Sequence, residues 1–213
     1  MIDFASERNN LIQHLRTEIK DSRVLQVMSR IPRELFVPEE SRGMAYLDRP
    51  LPIGYGQTIS QPLIVALMTE SLELSGNEKV LEIGAGSGYQ TAILADLAAR
   101  VISIERVPQL IERAKKLLEL LEYNNIEIHL ALKELGWPEG APYNKIMVTA
   151  ASPVVPLPLV DQLTTGGKMV IPVGSIHEQE LVIVTKYQDR IEKRNLGACR
   201  FVPLIGEGAW LSN

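Results

Sequence analysis

The chain has 213 residues and a net charge of −4, with 46% hydrophobic residues, 23% charged residues and one cysteine, Cys199. This length supports one large core, or a core with an appendage, and the composition is that of an ordinary globular protein. The acidic balance argues against nucleic-acid binding, no apolar run approaches the roughly 18 residues of a bilayer span, and the polar stretch Met1 to Gln13 does not read as a signal peptide. The lone cysteine excludes an internal disulfide and points to a cytoplasmic location. His14, His129 and His177 have no ligand-like spacing to one another or to Cys199, so no metal site is expected.

Along the chain, residues 6–30 predict helix, because Leu11, Ile12, Leu15, Ile19, Leu25 and Met28 recur at spacings near three and four. A break is expected at Lys20-Asp21-Ser22. Pro32 and Pro38 punctuate the next stretch, with Phe36 and Val37 between them as expected buried anchors. Residues 43–62 carry Pro50, Pro52, Gly54, Gly56 and Pro62, which predict an irregular loop of the length often reserved for function. A helix is expected over 63–74. From Val80 the pattern alternates. Strands are predicted at 79–83, 101–105, 126–130 and 145–149, with helices at 89–99 and 108–121 between them. A short helix at 158–163 leads to a strand at 168–172. Residues 180–186 and 195–203 then read as an antiparallel hairpin around the polar segment 187–194.

The densest signal is Val80-Leu81-Glu82-Ile83-Gly84-Ala85-Gly86-Ser87-Gly88, an apolar run ending in an acid and then a Gly-x-Gly-x-Gly turn. The next apolar run ends in Glu105, 21 residues after Gly84. A strand, glycine loop, helix, strand and acid in this order place a nucleoside at the carboxyl end of a parallel sheet, the acid accepting from both ribose hydroxyls. A dinucleotide loop wants Gly-x-Gly-x-x-Gly, and here Tyr89 occupies the third glycine's place. With no pyrophosphate to cradle, S-adenosylmethionine is favoured over NAD. A strand-to-helix turn without a ligand is the competing reading of the glycines, and Glu105 weighs against it, since an acid ending an apolar strand has no packing rationale.

Pro52-Ile53-Gly54-Tyr55-Gly56-Gln57-Thr58-Ile59-Ser60-Gln61-Pro62 resembles the signature loop of protein-L-isoaspartate O-methyltransferases. So do Arg33 to Pro38, Gly136-Trp137-Pro138, Ala141-Pro142-Tyr143, Val148 to Ala151 and Arg200 to Leu204, in family order over about residues 8–210. The resemblance implies a Rossmann-like α/β methyltransferase: a mostly parallel sheet with an antiparallel C-terminal hairpin and extra N-terminal helices. One domain, 1–213, is expected, with helices and substrate loop in 1–78 and the Rossmann-like core in 79–213. It implies methyl transfer from S-adenosyl-L-methionine to the free carboxylate of L-isoaspartyl residues in damaged proteins, with no nucleic acid or membrane as partner.

By the same resemblance, Ser60 is the active-site serine, and Thr58, Ile59, Ala150 and Ala151 join it at the substrate. Glu82, Gly84, Ala85, Gly86, Ser87 and Gly88 contact the methionine part of the cofactor, Glu105 the ribose, Ala131 and Leu132 the adenine, and Thr149 the region below the methyl group. The competing reading of Ser60 and Thr58 is a cap on the next helix. Two positions depart from the family. Its usual Gly-Asp-Gly after the third strand is Ala131-Leu132-Lys133, which leaves adenine to backbone groups, water or Glu134. The loop's usual histidine is Tyr55. A methyltransferase with another substrate and a non-enzymatic cofactor-binding descendant are the alternatives.

Overall fold

The computed structural model describes residues 2–211. Two N-terminal helices, α1 (Phe4–Leu15) and α2 (Ser22–Arg30), are separated by residues 16–21, a break that begins earlier than the expected Lys20-Asp21-Ser22. Asp3 accepts from the Ala5 and Ser6 N–H groups and Asp21 from that of Arg23, so each helix starts on a side-chain cap. Their apolar faces join Phe36 and Val37, both 1% exposed, in a core that continues into the two helices after the glycine loop. The first seventy-odd residues are therefore packed onto the sheet's own helical layer.

The loop predicted at 43–62 is only partly irregular. It contains a two-stranded antiparallel hairpin, β1 (Leu51–Gly54) and β2 (Gln57–Ile59). Gly54, Tyr55 and Gly56 all have positive φ, at 93°, 55° and 70°. Two central residues with positive φ make the tight turn whose twist matches paired strands, and glycine density there marks a reversal and not disorder. The next helix, α3 (Pro62–Ser71), opens with proline at a first-turn position, where a missing N–H costs nothing.

The main sheet then assembles from β3 (Lys79–Ile83), β4 (Arg100–Glu105), β5 (Ile126–Leu130), β6 (Tyr143–Val148), β7 (Leu163–Gly174), β8 (Gln179–Lys186) and β9 (Ile191–Cys199), in the spatial order β5-β4-β3-β6-β7-β8-β9. Helices α4 (Tyr89–Leu97) and α5 (Pro108–Leu120) connect the first strands, and α6 (Leu157–Asp161) precedes β7. Strands β3 to β7 pair in parallel, while β8 and β9 pair antiparallel at one edge. Val80, Leu81, Val101, Ile146, Met147 and Val148 are all 0% exposed, as expected of strands covered on both faces.

Several boundaries differ from expectation: α3 ends at Ser71, α6 at Asp161 and β9 at Cys199, short of the expected 74, 163 and 203. Strand β7 runs from residue 163, not 168, and β9 starts at 191, inside the segment expected to be a hairpin tip. Strand β9 is an edge strand with Glu192, Lys193, Arg194 and Asn195 exposed. Solvent removes the apolar alternation that would have marked it, and the charges guard the open edge.

The chain runs β3, β4, β5 outward in one direction and then returns to place β6 on the other side of β3. That reversal opens a crevice at the carboxyl ends of β3, β4 and β6, where ligands of open α/β sheets bind.

Candidate active site

The crevice holds a cleft walled by the ends of β3 (Ile83, Gly84), β4 (Ile104, Glu105) and the segments after β5 (Ala131, Leu132, Glu134, Leu135) and β6 (Thr149, Ala150). Including its open mouth, the cleft holds about 690 Å3 of free space. A second cavity adjoins it, sharing Thr58, Gly84, Gly86 and Thr149, and is lined further by Ile59, Ser60, Ala85, Ser87 and Gln90. The structure thus brings Ser60, Thr58 and Ile59 to the glycine loop from far away in sequence, and puts Glu105, Ala131 and Leu132 together in the larger cleft.

The floor is locked by Thr149. Its hydroxyl lies 2.9 Å from the Ile83 carbonyl and 2.8 Å from the Gly84 carbonyl, and its N–H donates to the Ile83 carbonyl at 2.9 Å. Gly84 has φ +101°, and a Cβ there would fall inside van der Waals contact with Thr149 Oγ1. Glycine at 84 is therefore required twice, by conformation and by approach.

Glu105, 6% exposed, is a structural anchor as well as a cleft residue. Its Oε2 accepts from the Gly86 N–H at 2.9 Å, and its Oε1 from Arg106 N–H at 2.7 Å and Val107 N–H at 3.0 Å. The expectation that this acid has no packing rationale is corrected: it ties the glycine loop to the turn after β4. Oε2 accepts only one bond within the chain, so it is the oxygen with capacity left for a ribose.

Three further expectations are corrected. Glu82 is 0% exposed and lines neither cavity. Strand alternation turns it to the opposite face from Ile83, where Oε2 accepts from Thr91 at 2.5 Å and Ser103 at 2.6 Å. Burial pushes its carboxyl up to about 7; the two hydroxyls oppose this and the Glu105 charge adds to it. Gly88 has φ +88° and heads α4, and a Cβ there would press within 3.2 Å of Ala114 and 3.3 Å of Leu118. Its role is close packing of α4 against α5. Ala151 is 1% exposed, and its backbone bonds Val202 and Leu204 at 2.8 Å each, pinning the C-terminal segment instead of lining the Ser60 cavity.

Ser60 does not cap α3. The helix has Gln61 at its cap position with no side-chain cap of its own, and Asp48 takes that task, accepting from the Leu63 N–H at 2.8 Å and the Gln61 amide at 2.9 Å. The Ser60 hydroxyl has no hydrogen-bond partner among the described residues, while its carbonyl accepts from Arg33 Nη2 at 2.7 Å. Arg33 is 0% exposed. It also donates to the Ala45 carbonyl at 2.8 Å and stacks over the Tyr89 ring at 4.8 Å. Burial lowers its pKa; Tyr89, Tyr46 and Asp48 oppose that shift. The sequence reading missed both Arg33 and Asp48 as supports of the loop. Gln162 was missed too: its amide accepts from Trp137 N–H and donates to the Leu135 and Pro158 carbonyls, fixing the far wall of the cleft.

A nucleoside cofactor without phosphates suits these residues. The glycine loop approaches without side chains, one carboxylate waits for a ribose hydroxyl, and Ile83, Ile104, Ala131 and Leu135 form an apolar slot for a base. The adjoining cavity offers the Ser60 hydroxyl and contains no histidine, cysteine or lysine in its lining. Its chemistry is positioning rather than proton abstraction. Among the described residues, no cluster of three potential metal ligands occurs, and no helix is long and apolar enough to cross a membrane.

The family model for protein-L-isoaspartate(D-aspartate) O-methyltransferase matches residues 6–209. A protein-L-isoaspartate O-methyltransferase of Dictyoglomus thermophilum is 54% identical over 209 residues, 98% of this chain and 95% of that one. Protein-L-isoaspartate O-methyltransferase 1 of Syntrophobacter fumaroxidans is 52% identical over 212 residues, 99% of each chain. A Plasmodium falciparum protein assigned to the same activity, solved in complex with S-adenosyl-L-homocysteine, superposes with a TM-score of 0.80 at 28% identity, covering 95% of this chain and 98% of that one.

Proposed function

The chain belongs to the protein-L-isoaspartate(D-aspartate) O-methyltransferase family, and on that premise we propose that it transfers a methyl group from S-adenosylmethionine to the free carboxylate of L-isoaspartyl residues in damaged proteins, initiating their repair. The observation that carries the reading is Ser60, whose hydroxyl is left free by Asp48 and which lines a cavity that shares Thr58, Gly84, Gly86 and Thr149 with the nucleoside cleft.

When bound, S-adenosylmethionine supplies an electrophilic methyl group on a sulfonium. Glu105 holds the ribose through Oε2, Ala131 and Leu132 flank the base, and Gly84, Ala85, Gly86 and Ser87 border the methionine part. Ser60 and Thr58 hold the acceptor. An α-carboxyl group has a pKa of about 3.3–3.7, so it is already ionised at neutral pH and needs no base. A neutral hydroxyl donates one bond and orients the carboxylate without neutralising it, as a cation would. Alignment of this kind can lower the barrier by roughly 7–11 kcal/mol. Arg33 holds the Ser60 backbone so that the hydroxyl stays available. In this reading residues 1–78 supply the acceptor loop and residues 79–213 the cofactor cleft of a single methyltransferase domain. The lone cysteine and the −4 charge support a cytoplasmic protein that acts on polypeptides and not on nucleic acid.

The test is radiolabel transfer from S-adenosylmethionine to matched peptides that differ only in one isoaspartyl or aspartyl linkage. Label is expected on the isoaspartyl peptide alone. Equal labelling of both would overturn the substrate assignment. Tight cofactor binding with no transfer to either would favour a binding module.

A further inference from the structure

The nucleoside cleft does not end at the base. Its far wall opens into a second groove, and the two share Arg106, Ala131, Leu132 and Ile205. Leu132 stands at the junction, 52% exposed. Beyond it the groove is lined by Lys133, Glu207 and Leu211, the last 79% exposed. The walls are fixed to each other: Glu207 N–H donates to the Lys133 carbonyl at 3.2 Å, and Gly206 sits so close to Leu135 that a Cβ there would lie 2.5 Å from its Cδ2. The groove is thus part of the fold.

Covalent geometry aims the base at this opening. With the ribose held at Glu105, the five-membered ring of adenine stays near the sugar. The exocyclic amine, on the six-membered ring, would project away from the sugar, and the cleft wall beyond Glu105 is the segment holding Ala131, Leu132, Glu134 and Leu135. The Leu132 side chain presents no hydrogen-bond acceptor there and does not close the wall.

We propose that the groove is an extension of the cofactor site that accepts an apolar substituent on the exocyclic nitrogen of the adenine, so that the protein binds N6-alkyl and N6-aryl cofactor analogues. The inference rests on the cofactor reading above. Leu132, Ile205 and Leu211 supply the apolar contact, and Arg106 and Lys133 lie on the rim.

The test is calorimetric titration with S-adenosylhomocysteine, its N6-benzyl derivative and its C8-benzyl derivative. The C8 substituent projects from the sugar-proximal ring and serves as a directional control. The N6-benzyl compound is expected to bind within about threefold of the parent, and the C8-benzyl compound more than 30-fold more weakly. Leu211→Ala, in the groove outside the cleft, is expected to weaken the N6-benzyl compound at least threefold relative to the parent. A 30-fold loss for the N6-benzyl compound in the wild-type protein would mean that the groove is closed to the base. Indifference of the N6-benzyl compound to Leu211→Ala, or equal binding of the C8 compound, would equally overturn the proposal. Failure of S-adenosylhomocysteine itself to bind would instead reject the cofactor reading on which it rests.

Discussion

Replacing Gly84 by alanine tests the central lock of the site. The backbone there has φ +101°, where an L-residue costs about 1–3 kcal/mol. The added methyl would collide with Thr149 Oγ1, whose hydroxyl bridges the Ile83 and Gly84 carbonyls at 2.9 and 2.8 Å. Clearing the clash means turning that hydroxyl away, which loses about 1 kcal/mol of net hydrogen bonding. Gly84→Ala should therefore destabilise by about 3 kcal/mol, taking the middle of the strain range. Thr149→Ala alone removes the same hydroxyl and should cost about 1 kcal/mol, because the Ile83 carbonyl keeps the Thr149 N–H. In the double variant the clash is absent and the hydroxyl is lost only once, so the cost should again be about 3 kcal/mol rather than the additive 4. Urea titration of the four proteins gives a coupling of about 1 kcal/mol if the reasoning holds. Additivity within about 0.3 kcal/mol would refute it, because independent sites add to that precision.

The site carries two more expected outcomes. Ser60→Ala should lower single-turnover methyl transfer about 10- to 100-fold, the weight of one or two hydrogen bonds, with melting temperature and S-adenosylhomocysteine affinity nearly unchanged; a lower melting temperature with turnover intact would restore the capping role. Glu82→Gln should flatten stability against pH. The folded carboxyl sits at about 7 against an ordinary 4.5, so the folded state holds a proton that the unfolded chain releases, and wild-type stability should fall as pH rises from about 4.5 to 7. The wild-type minus variant difference in urea stability should therefore shift by roughly 1–3 kcal/mol against the wild type between pH 5 and pH 8; parallel curves would mean that Glu82 does not titrate in this window.

How much of the fold is legible in the sequence depends on how far each cause reaches along the chain. Parallel strands read as unbroken apolar runs because both faces are covered, and β3 and β5 fall where that pattern placed them. The hairpin at residues 51–59 was hidden because the residues that permit a tight reversal, Gly54 and Gly56, also signal irregular chain. The supports of Ser60 were hidden by distance: Arg33 reaches its carbonyl across 27 residues and Asp48 reaches the α3 N-terminus across 15, and no local pattern encodes such a meeting. Glu82 and Glu105 show where local reading stops. Each is an acid after an apolar run, yet Glu82, one residue short of its strand's end, points to the buried face, where two hydroxyls hold it. Glu105 is the last residue of its strand, and the chain turns its carboxylate back onto the Gly86, Arg106 and Val107 N–H groups at the cleft. One step of pleat separates a core anchor from a ligand-facing group, and a strand boundary read from sequence is uncertain by more than that step.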